Sequence, residues 1–170
     1  TGMWRESVAA SAYIFVSDPH KVRDTAKRFL DDGFGTFKIK IGVSMQTDVP
    51  LVEAVKTVVG DCDVRADVNG AWTPGTARRQ LAKLAPYDLA YVEQPLELDD
   101  LTGHAELRAC QTVPIALDES AYTLSDVGNI ARACAADVVL LDPHESGGVW
   151  QVIKQAAICE SVGIPVTLHS

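Results

Sequence analysis

Two lysines separated by one residue, Lys38 and Lys40, lie in the apolar segment 36–42, which reads "TFKIKIG". Side chains alternate between the two faces of a β-strand, so both lysines share one face and the apolar residues share the other. Apolar side chains would pack on helices, which directs the lysines into the interior of a barrel. Because buried ammonium groups need anions to balance them, carboxylates are expected opposite the lysines. The alternative is an edge strand with solvated lysines.

Three later segments each carry a carboxylate near the end of an apolar run: Asp67 in "VRADVNGA", Glu93 in "YVEQP" and Asp118 in "IALDES". The separations are 26 and 25 residues, the length of one strand and one connecting helix. The spacing therefore predicts three carboxylates at one level of a sheet. Three carboxylates this close repel one another unless a cation binds between them. Oxygen ligands without Cys or His favour Mg²⁺ or Mn²⁺ as that cation.

Two residues beside these carboxylates extend the prediction. Glu119 competes with Asp118 as the third ligand, although strand alternation favours Asp118. Asn69 shares the face of Asp67 and is expected to contact a substrate. If the three acids were instead unrelated, each would pair with the amino terminus of a helix.

An acid and an imidazole recur at a further matching separation. Asp142 in "VVLLDPHES" and His169 in "PVTLHS" are 27 residues apart and are predicted to be neighbours on adjacent strands. A carboxylate fixes the tautomer of an adjacent imidazole and raises its basicity, so His169 is a candidate general acid or base. A purely structural hydrogen bond is the alternative. His144 and Glu145 are expected at the rim of a pocket.

Seven strand-like segments alternate with six helical segments. The strand-like segments are 7–16, 36–42, 63–71, 89–96, 113–120, 136–146 and 164–170. The helical segments are 18–33, 47–60, 73–87, 98–110, 123–135 and 147–163. This alternation predicts a parallel α/β fold. The other two histidines, His20 and His104, fall in helical segments and are expected at the surface.

Polar residues at the carboxyl ends of several strands favour a TIM-type (β/α) barrel, where such residues build the active site. A doubly wound sheet would concentrate its functional residues at one switch point, beside a glycine-rich loop. No GxGxxG motif is present, which argues against that fold. A closed barrel has eight strands and seven are predicted here. We therefore expect residues 1–170 to be a partial barrel catalytic domain, with the last strand and an N-terminal domain outside it.

Composition limits the classes of partner. The chain has 170 residues, 47% of them hydrophobic, which is enough for one sizeable core. Its net charge of −8 disfavours nucleic acid and anionic membrane surfaces as partners. No apolar run approaches the roughly 20 residues of a membrane span. Four scattered cysteines without a CxxC pair indicate reduced, mostly buried thiols, and a cytoplasmic location is expected.

Taken together, these motifs resemble the enolase superfamily, in its mandelate racemase and muconate lactonizing enzyme branch. The resemblance covers essentially the whole chain. It depends on the order and spacing of "KIK", "DVNGAW", "VEQPL", "ALDES", a Gly-Gly pair and the terminal "TLHS". It implies an enolase C-terminal-domain-like barrel accompanied by an N-terminal capping domain.

The resemblance also implies a role for each site residue. Asp67, Glu93 and Asp118 would bind Mg²⁺, Lys38 would stabilise developing negative charge and Lys40 would be the base. The substrate would be a small carboxylate that loses its α-proton to give an enolate. With Lys40 on one face and His169 on the other, the outcome would be racemisation or epimerisation, or dehydration of a hydroxy acid or sugar acid. Relatives commonly assemble as homo-oligomers, so the same is expected here.

One position departs from part of the branch. The muconate lactonizing type has a lysine five residues before the Gly-Gly pair, whereas this chain has Asp142. The aspartate and His169 resemble the mandelate racemase type, while "DES" is more similar to the muconate lactonizing type. The alternatives are a cycloisomerase that needs one base, a metal-free lyase that forms a Schiff base on Lys38 or Lys40, and a non-catalytic homologue.

Overall fold

The computed structural model describes residues 6–169. Within that range, seven strands alternate with six α-helices. The strands are β1 (Ala12–Ile14), β2 (Thr36–Lys40), β3 (Asp63–Asp67), β4 (Tyr91–Glu93), β5 (Ile115–Leu117), β6 (Val138–Leu141) and β7 (Val166–Leu168). The helices are α1 (Pro19–Asp31), α2 (Asp48–Val59), α3 (Pro74–Leu84), α4 (Leu101–Cys110), α5 (Leu124–Ala133) and α6 (Val149–Ser161), with a 3₁₀ turn at Ala85–Tyr87.

The strands form one parallel sheet in which each strand pairs with the next along the chain, from β1 to β7. This is the strand order of a (β/α) barrel, and it excludes a doubly wound sheet, whose order reverses at a switch point. The predicted TIM-type fold with seven strands is confirmed. β1 and β7 are the edges of the sheet, and Val166 and Leu168 of β7 are 44% and 66% exposed.

Local side-chain chemistry sets where elements begin and end. Asp18 accepts a hydrogen bond from the backbone N–H of His20 at the start of α1, and Pro19 follows it at the first helical position. Thr123 and Asp126 form a reciprocal capping box at the start of α5. These caps satisfy backbone N–H groups in the first turns of α1 and α5 and so set where the two helices begin.

The strands are shorter than the apolar runs that contain them, and β6 shows the reason. Oδ1 of Asp142 accepts hydrogen bonds from the backbone N–H groups of His144, at 2.6 Å, and Glu145, at 3.4 Å. This turn competes with strand pairing and ends β6 at Leu141.

The two faces of the sheet bury different chemistry. Phe37 and Ile39 lie on the outer face, are fully buried and belong to the apolar core that includes the helices. The inner face carries buried charge, including Lys38 and Glu93. Two residues before the inner-face carboxylates along their strands, a separate small apolar cluster lies on the same face, formed by Tyr91, Ala116 and Leu140. This apolar layer supports the charged groups at the carboxyl ends of the strands.

All four cysteines are free, but the expectation that they are mostly buried is wrong, because only Cys159 is buried and Cys110 and Cys134 are exposed. None of the helices described here combines the length and the apolar character needed to span a membrane.

Candidate functional site

The two lysines of β2 converge on one carboxylate. Strand register places Lys40 beside Asp67, and Asp67 beside Glu93 on the next strand. Nζ of Lys38 lies 3.0 Å from Oδ2 of Asp67 and 2.5 Å from Oε1 of Glu93. Nζ of Lys40 donates a hydrogen bond to the same Asp67 oxygen. The side chain of Lys38 is 3% exposed and that of Lys40 is 29% exposed, so only Lys40 reaches solvent.

Burial and charge pull the pKa values of these groups in opposite directions. Burial alone would lower the pKa of Lys38, but Glu93 and Asp67 raise it above its usual range and keep the ammonium group charged. Burial acts to raise the pKa of Asp67, yet the two lysines hold it below its ordinary value. For Glu93, burial first and Asp67 second raise the pKa to about 9, despite the contact with Lys38.

Asp118 follows β5 and faces the same interior. It is 5% exposed, and burial raises its pKa to about 6, with His169 acting in the opposite direction and Glu119 adding to the rise. Nδ1 of His169 lies 3.8 Å from Oδ2 of Asp118. The ends of β5 and β7 therefore bring an acid and an imidazole close together.

Asp142 and His169 lie next to each other, at the separation that adjacent parallel strands give. Nδ1 of His169 is 3.4 Å from Oδ2 of Asp142. The other oxygen of Asp142 accepts the two backbone hydrogen bonds that end β6. Burial would raise the pKa of Asp142, but those backbone donors and the ring of His144 lower it, which favours the charged carboxylate beside the imidazole.

Asn69 and Glu119 form a hydrogen-bonded chain that ends on Lys40. Oδ1 of Asn69 accepts from Nζ of Lys40 at 2.5 Å, and Nδ2 of Asn69 donates to Oε1 of Glu119 at 2.7 Å. Asn69 has a left-handed backbone, with φ of 48°, and its N–H donates to Oδ1 of Asp67. Glu119 is thus engaged with Asn69, whereas Asp118 points toward Glu93 and His169.

Gln94, immediately after Glu93, was not singled out from the sequence, although it is completely buried. Its Oε1 accepts from the backbone N–H groups of Asp118 and Ser120, and its Nε2 donates to the Leu96 carbonyl and the Ser120 hydroxyl. The amide thereby fixes the end of β5 against the end of β4. The only sequence signal for it is an amide directly after a strand-end carboxylate.

The loop after β2 is also held by a buried acid. Asp48, 0% exposed, accepts from the Gly42 backbone N–H at 2.9 Å and from the Trp72 indole at 3.3 Å. Gly42 has φ of 92°, and a Cβ there would lie 2.9 Å from the carbonyl oxygen of Val68, so only glycine fits. This contact joins the loops that follow β2 and β3.

The expectation that His104 is a surface residue is wrong. Its side chain is completely buried, Nε2 accepts from the backbone N–H of Leu96, and Nδ1 lies 2.8 Å from the Asp100 carbonyl oxygen. The signal was its spacing of three residues from Leu101 and Leu107, which puts all three on the inward side of α4. His20 is exposed, as expected.

Side chains that could hold an ion gather around His169. Glu93, Asp118 and His169 each offer one ligand atom within 4.8 Å of the others, and so do Asp142, Glu145 and His169. Among the described residues, Oε2 of Glu93 is buried without a hydrogen-bond partner. Buried carboxylates outnumber the ammonium groups that face them, and their donor atoms are hard oxygens. The residues present therefore fit a divalent cation such as Mg²⁺.

A parallel (β/α) barrel sheet with lysines, carboxylates and a histidine at the carboxyl ends of its strands defines the class of α/β-barrel domains. Within that class, residues 21–170 match the family described as enolase C-terminal domain-like. The chain belongs to this family, in the mandelate racemase and muconate lactonizing enzyme branch, which confirms the resemblance inferred from the motifs.

Relatives with named activities agree with this assignment. The chain is 30% identical over 164 residues to a hydrophobic dipeptide epimerase from Enterococcus faecalis, covering 96% of this chain and 46% of the relative. It is 30% identical over 167 residues to an arabinonate dehydratase from Saccharolobus solfataricus, and that match covers 97% of this chain and 45% of the relative. The chain thus spans about half the length of the curated relatives that it matches.

A solved structure shows the same fold. The dipeptide epimerase from Cytophaga hutchinsonii, crystallised with Mg and the dipeptide D-Ala-L-Val, superposes with a TM-score of 0.90 at 26% identity. The match covers 95% of this chain and 44% of that one.

Proposed function

We propose that the protein abstracts the α-proton of a small carboxylate substrate in a Mg²⁺-dependent reaction. One observation carries the proposal: Lys40 and His169 lie at the ends of β2 and β7, on either side of the carboxylates on β3, β4 and β5. Two proton-transfer groups that flank an acidic, cation-binding centre are suited to act on opposite faces of one carbon.

Asp67, Glu93 and Asp118 would hold the Mg²⁺, with Glu119 as the alternative to Asp118. When bound, the ion supplies positive charge to a substrate carboxylate and to the negative charge that develops on it. The buried Glu93 oxygen without a hydrogen-bond partner and the predominance of oxygen donors support this assignment. A relative from Cytophaga hutchinsonii was crystallised with Mg, which is consistent with it.

Lys40 is the proposed base. A neutral amine has two N–H donors and one lone pair, and Asp67 and Asn69 are placed to accept from its two N–H groups. That arrangement aims the lone pair at the remaining direction, where a substrate would lie. The partly exposed position of Lys40 gives the substrate access to it.

Lys38 is the proposed electrostatic stabiliser. Its ammonium group is nearly fully buried and stays charged because Glu93 and Asp67 raise its pKa. A fixed buried cation stabilises an enolate without reorganising during the reaction. Lys38 therefore contributes charge while Lys40 moves the proton.

His169 is the proposed second acid or base, oriented by Asp142. If it returns a proton to the α-carbon from the opposite face, the product is the racemised or epimerised acid. If it protonates a departing β-hydroxyl, the product is the dehydrated hydroxy acid or sugar acid. Relatives that are named as an epimerase and as a dehydratase lend support to both outcomes.

The chain is proposed to be a partial barrel within a longer protein, completed by a further strand and an N-terminal capping domain. Its span of about half the length of its relatives supports this. Experiments on activity therefore use the complete protein that carries the chain. Assembly as a homo-oligomer remains part of the proposal.

The test is exchange of the substrate α-proton for deuterium, followed by NMR in D₂O with Mg²⁺ present or chelated. The panel contains hydroxy acids, sugar acids, dipeptides and N-acyl amino acids. The expected result is exchange that requires Mg²⁺, together with turnover to the racemised or dehydrated product that falls in both Lys40→Ala and His169→Asn. Full turnover in either variant contradicts the two-base mechanism, and absence of Mg²⁺ binding overturns the proposal.

A further inference from the structure

We infer that Glu93, Asp118 and His169 form a binding site for a Zn²⁺-like transition metal ion, and that this ion competes with the proposed proton transfer by His169. The second clause rests on the proposed function; the first does not. One ligand atom from each of these residues lies within 4.8 Å of the other two. Among these three residues, only His169 differs from the proposed Mg²⁺ ligands.

The donor set selects the kind of ion. Mg²⁺ prefers oxygen ligands, whereas an imidazole nitrogen suits Zn²⁺ and related transition metals. Two carboxylates and one imidazole are three protein ligands, the number that zinc sites with one open position use. A site composed of these residues therefore favours Zn²⁺ or a related transition metal ion over Mg²⁺.

The buried atoms point to an ion rather than to a network that is already complete. Glu93 is 0% exposed, and its Oε2 is buried without a hydrogen-bond partner among the described residues. Nδ1 of His169 is likewise buried and makes no hydrogen bond of good geometry within residues 6–169. Buried polar atoms are normally satisfied, and an ion that bonds to both residues would satisfy these two atoms.

The separations suit a small tetrahedral ion. Nδ1 of His169 and Oδ2 of Asp118 are 3.8 Å apart. Bonds of about 2.1 Å in tetrahedral geometry hold two ligand atoms about 3.4 Å apart. The remaining difference is about 0.4 Å, and the His169 side chain is 22% exposed.

The other group around His169 is less suited to the ion. Glu145 is exposed, so that group has only two buried or partly buried members, Asp142 and His169, the latter with Nδ1 at 3.4 Å from Oδ2 of Asp142. Asp67 is committed, because Lys38 and Lys40 both contact its Oδ2. Glu93 and Asp118 are therefore the two buried carboxylates that form a complete group of three ligands with the imidazole.

Zn²⁺ binding at this site would exclude both Mg²⁺ binding and proton transfer by His169. An imidazole nitrogen that coordinates Zn²⁺ has no lone pair left to accept a proton, and Glu93 and Asp118 are no longer available to Mg²⁺. Zn²⁺ is therefore expected to inhibit the protein by displacing Mg²⁺ and by sequestering His169 together.

The direct test is a Zn²⁺ titration of the complete protein labelled with ¹⁵N-histidine, with the imidazole nitrogens followed by NMR. The chain contains four histidines. Because Cys110 and Cys134 are exposed thiols, both are replaced by serine in every preparation. A saturable shift of the His169 nitrogens is expected, and a titration that shifts other histidines but leaves His169 unchanged overturns the inference.

Crossed variants separate the two metal sites by calorimetry. His169→Gln is expected to weaken Zn²⁺ binding by at least about 10-fold, the lower end of what loss of even an outer partner costs, and to leave Mg²⁺ binding unchanged. Asp67→Asn is expected to weaken Mg²⁺ binding more than Zn²⁺ binding. His144→Gln, which removes a neighbouring exposed imidazole, is the matched control and should change neither affinity.

The outcomes distinguish this inference from the proposed function. Zn²⁺ affinity that is unchanged in His169→Gln, or lost equally in Asp67→Asn, overturns the inference while leaving Mg²⁺-dependent exchange intact. Zn²⁺ binding that depends on His169 in a protein that does not bind Mg²⁺ supports the metal site and overturns the proposed function. Thermal unfolding of each variant verifies that the compared proteins are folded.

Discussion

The side-chain amide of Asn69 donates a hydrogen bond to Glu119 over 2.7 Å, which joins the loops after β3 and β5. This bond decides which end of the amide faces Lys40, because the Asn69 oxygen then accepts from the ammonium group. Glu119 therefore acts on the proposed base through Asn69, without touching it.

Glu119→Ala is expected to slow α-proton exchange by the complete protein, by up to about 100-fold, the cost of a displacement of roughly 1 Å at a reacting group. The amide of Asn69 would be free to rotate and to turn its N–H groups toward Lys40. Glu119→Gln keeps an acceptor oxygen and should retain most activity. Equal rates for both variants and the parent would refute this positioning role.

Lys38→Met is expected to destabilise the fold by about 3–5 kcal/mol, because it leaves buried Glu93 and Asp67 without their shared cation. Urea unfolding measures the change. Lys27→Met is the matched control, since its ion pair with Asp31 is exposed at both ends and should contribute less than about 1 kcal/mol. Similar losses in the two variants would contradict the importance of burial.

His104 should make stability depend on pH below neutrality. Burial lowers its pKa in the folded state, so the unfolded chain takes up the proton first as the pH falls below the ordinary value of about 6.5. Stability is therefore present above that pH and is lost as the pH falls toward the folded-state pKa, by up to about 1.4 kcal/mol per pH unit.

His104→Gln should flatten the curve of unfolding free energy against pH between neutrality and mildly acid conditions. His20→Gln, on an exposed side chain, should leave the curve of the parent protein unchanged. Parallel curves for the parent and His104→Gln would show that His104 is protonated equally in both states.

Gln94→Leu should lower the free energy of unfolding by at least about 2 kcal/mol. The buried N–H groups of Asp118 and Ser120 and the Leu96 carbonyl would each lose a hydrogen-bond partner. Mg²⁺ affinity should fall with it, since the backbone of Asp118 is no longer fixed. Chemical denaturation and calorimetry measure the two effects. Gln46→Leu on an exposed loop is the control and should stay within about 0.5 kcal/mol.

The architecture could be predicted from the sequence because strand alternation and unit length are periodic properties. The separations between Asp67, Glu93 and Asp118 equal one βα unit, so their place near the carboxyl ends of neighbouring strands follows from counting. The register itself does not: it pairs Asp67 with Glu93 but Glu93 with Ala116, which leaves Asp118 two residues further along. The same alternation placed Lys38 and Lys40 on the inner face. These inferences needed only the direction of each side chain, which the pleat determines.

Contacts that depend on side-chain reach were not predictable in the same way. Alternation assigns Asn69 and Glu119 to a region but does not say that they bond to each other. The hydrogen bonds of the Gln94 side chain and the burial of His104 depend on the paths of loops, and the periodicity of the sequence does not predict those paths. The proximity of His169 to Asp118 likewise arises from the curvature of the sheet across β5, β6 and β7.

The two edges of the sheet have a consequence for handling the isolated chain. β1 and β7 each have one side that no described strand covers, and Val166 and Leu168 expose apolar surface there. An uncovered strand edge is a template on which another chain can add a strand. Expressed alone and concentrated, this polypeptide is therefore expected to aggregate edge to edge, and a short peptide that caps either edge would keep it dispersed.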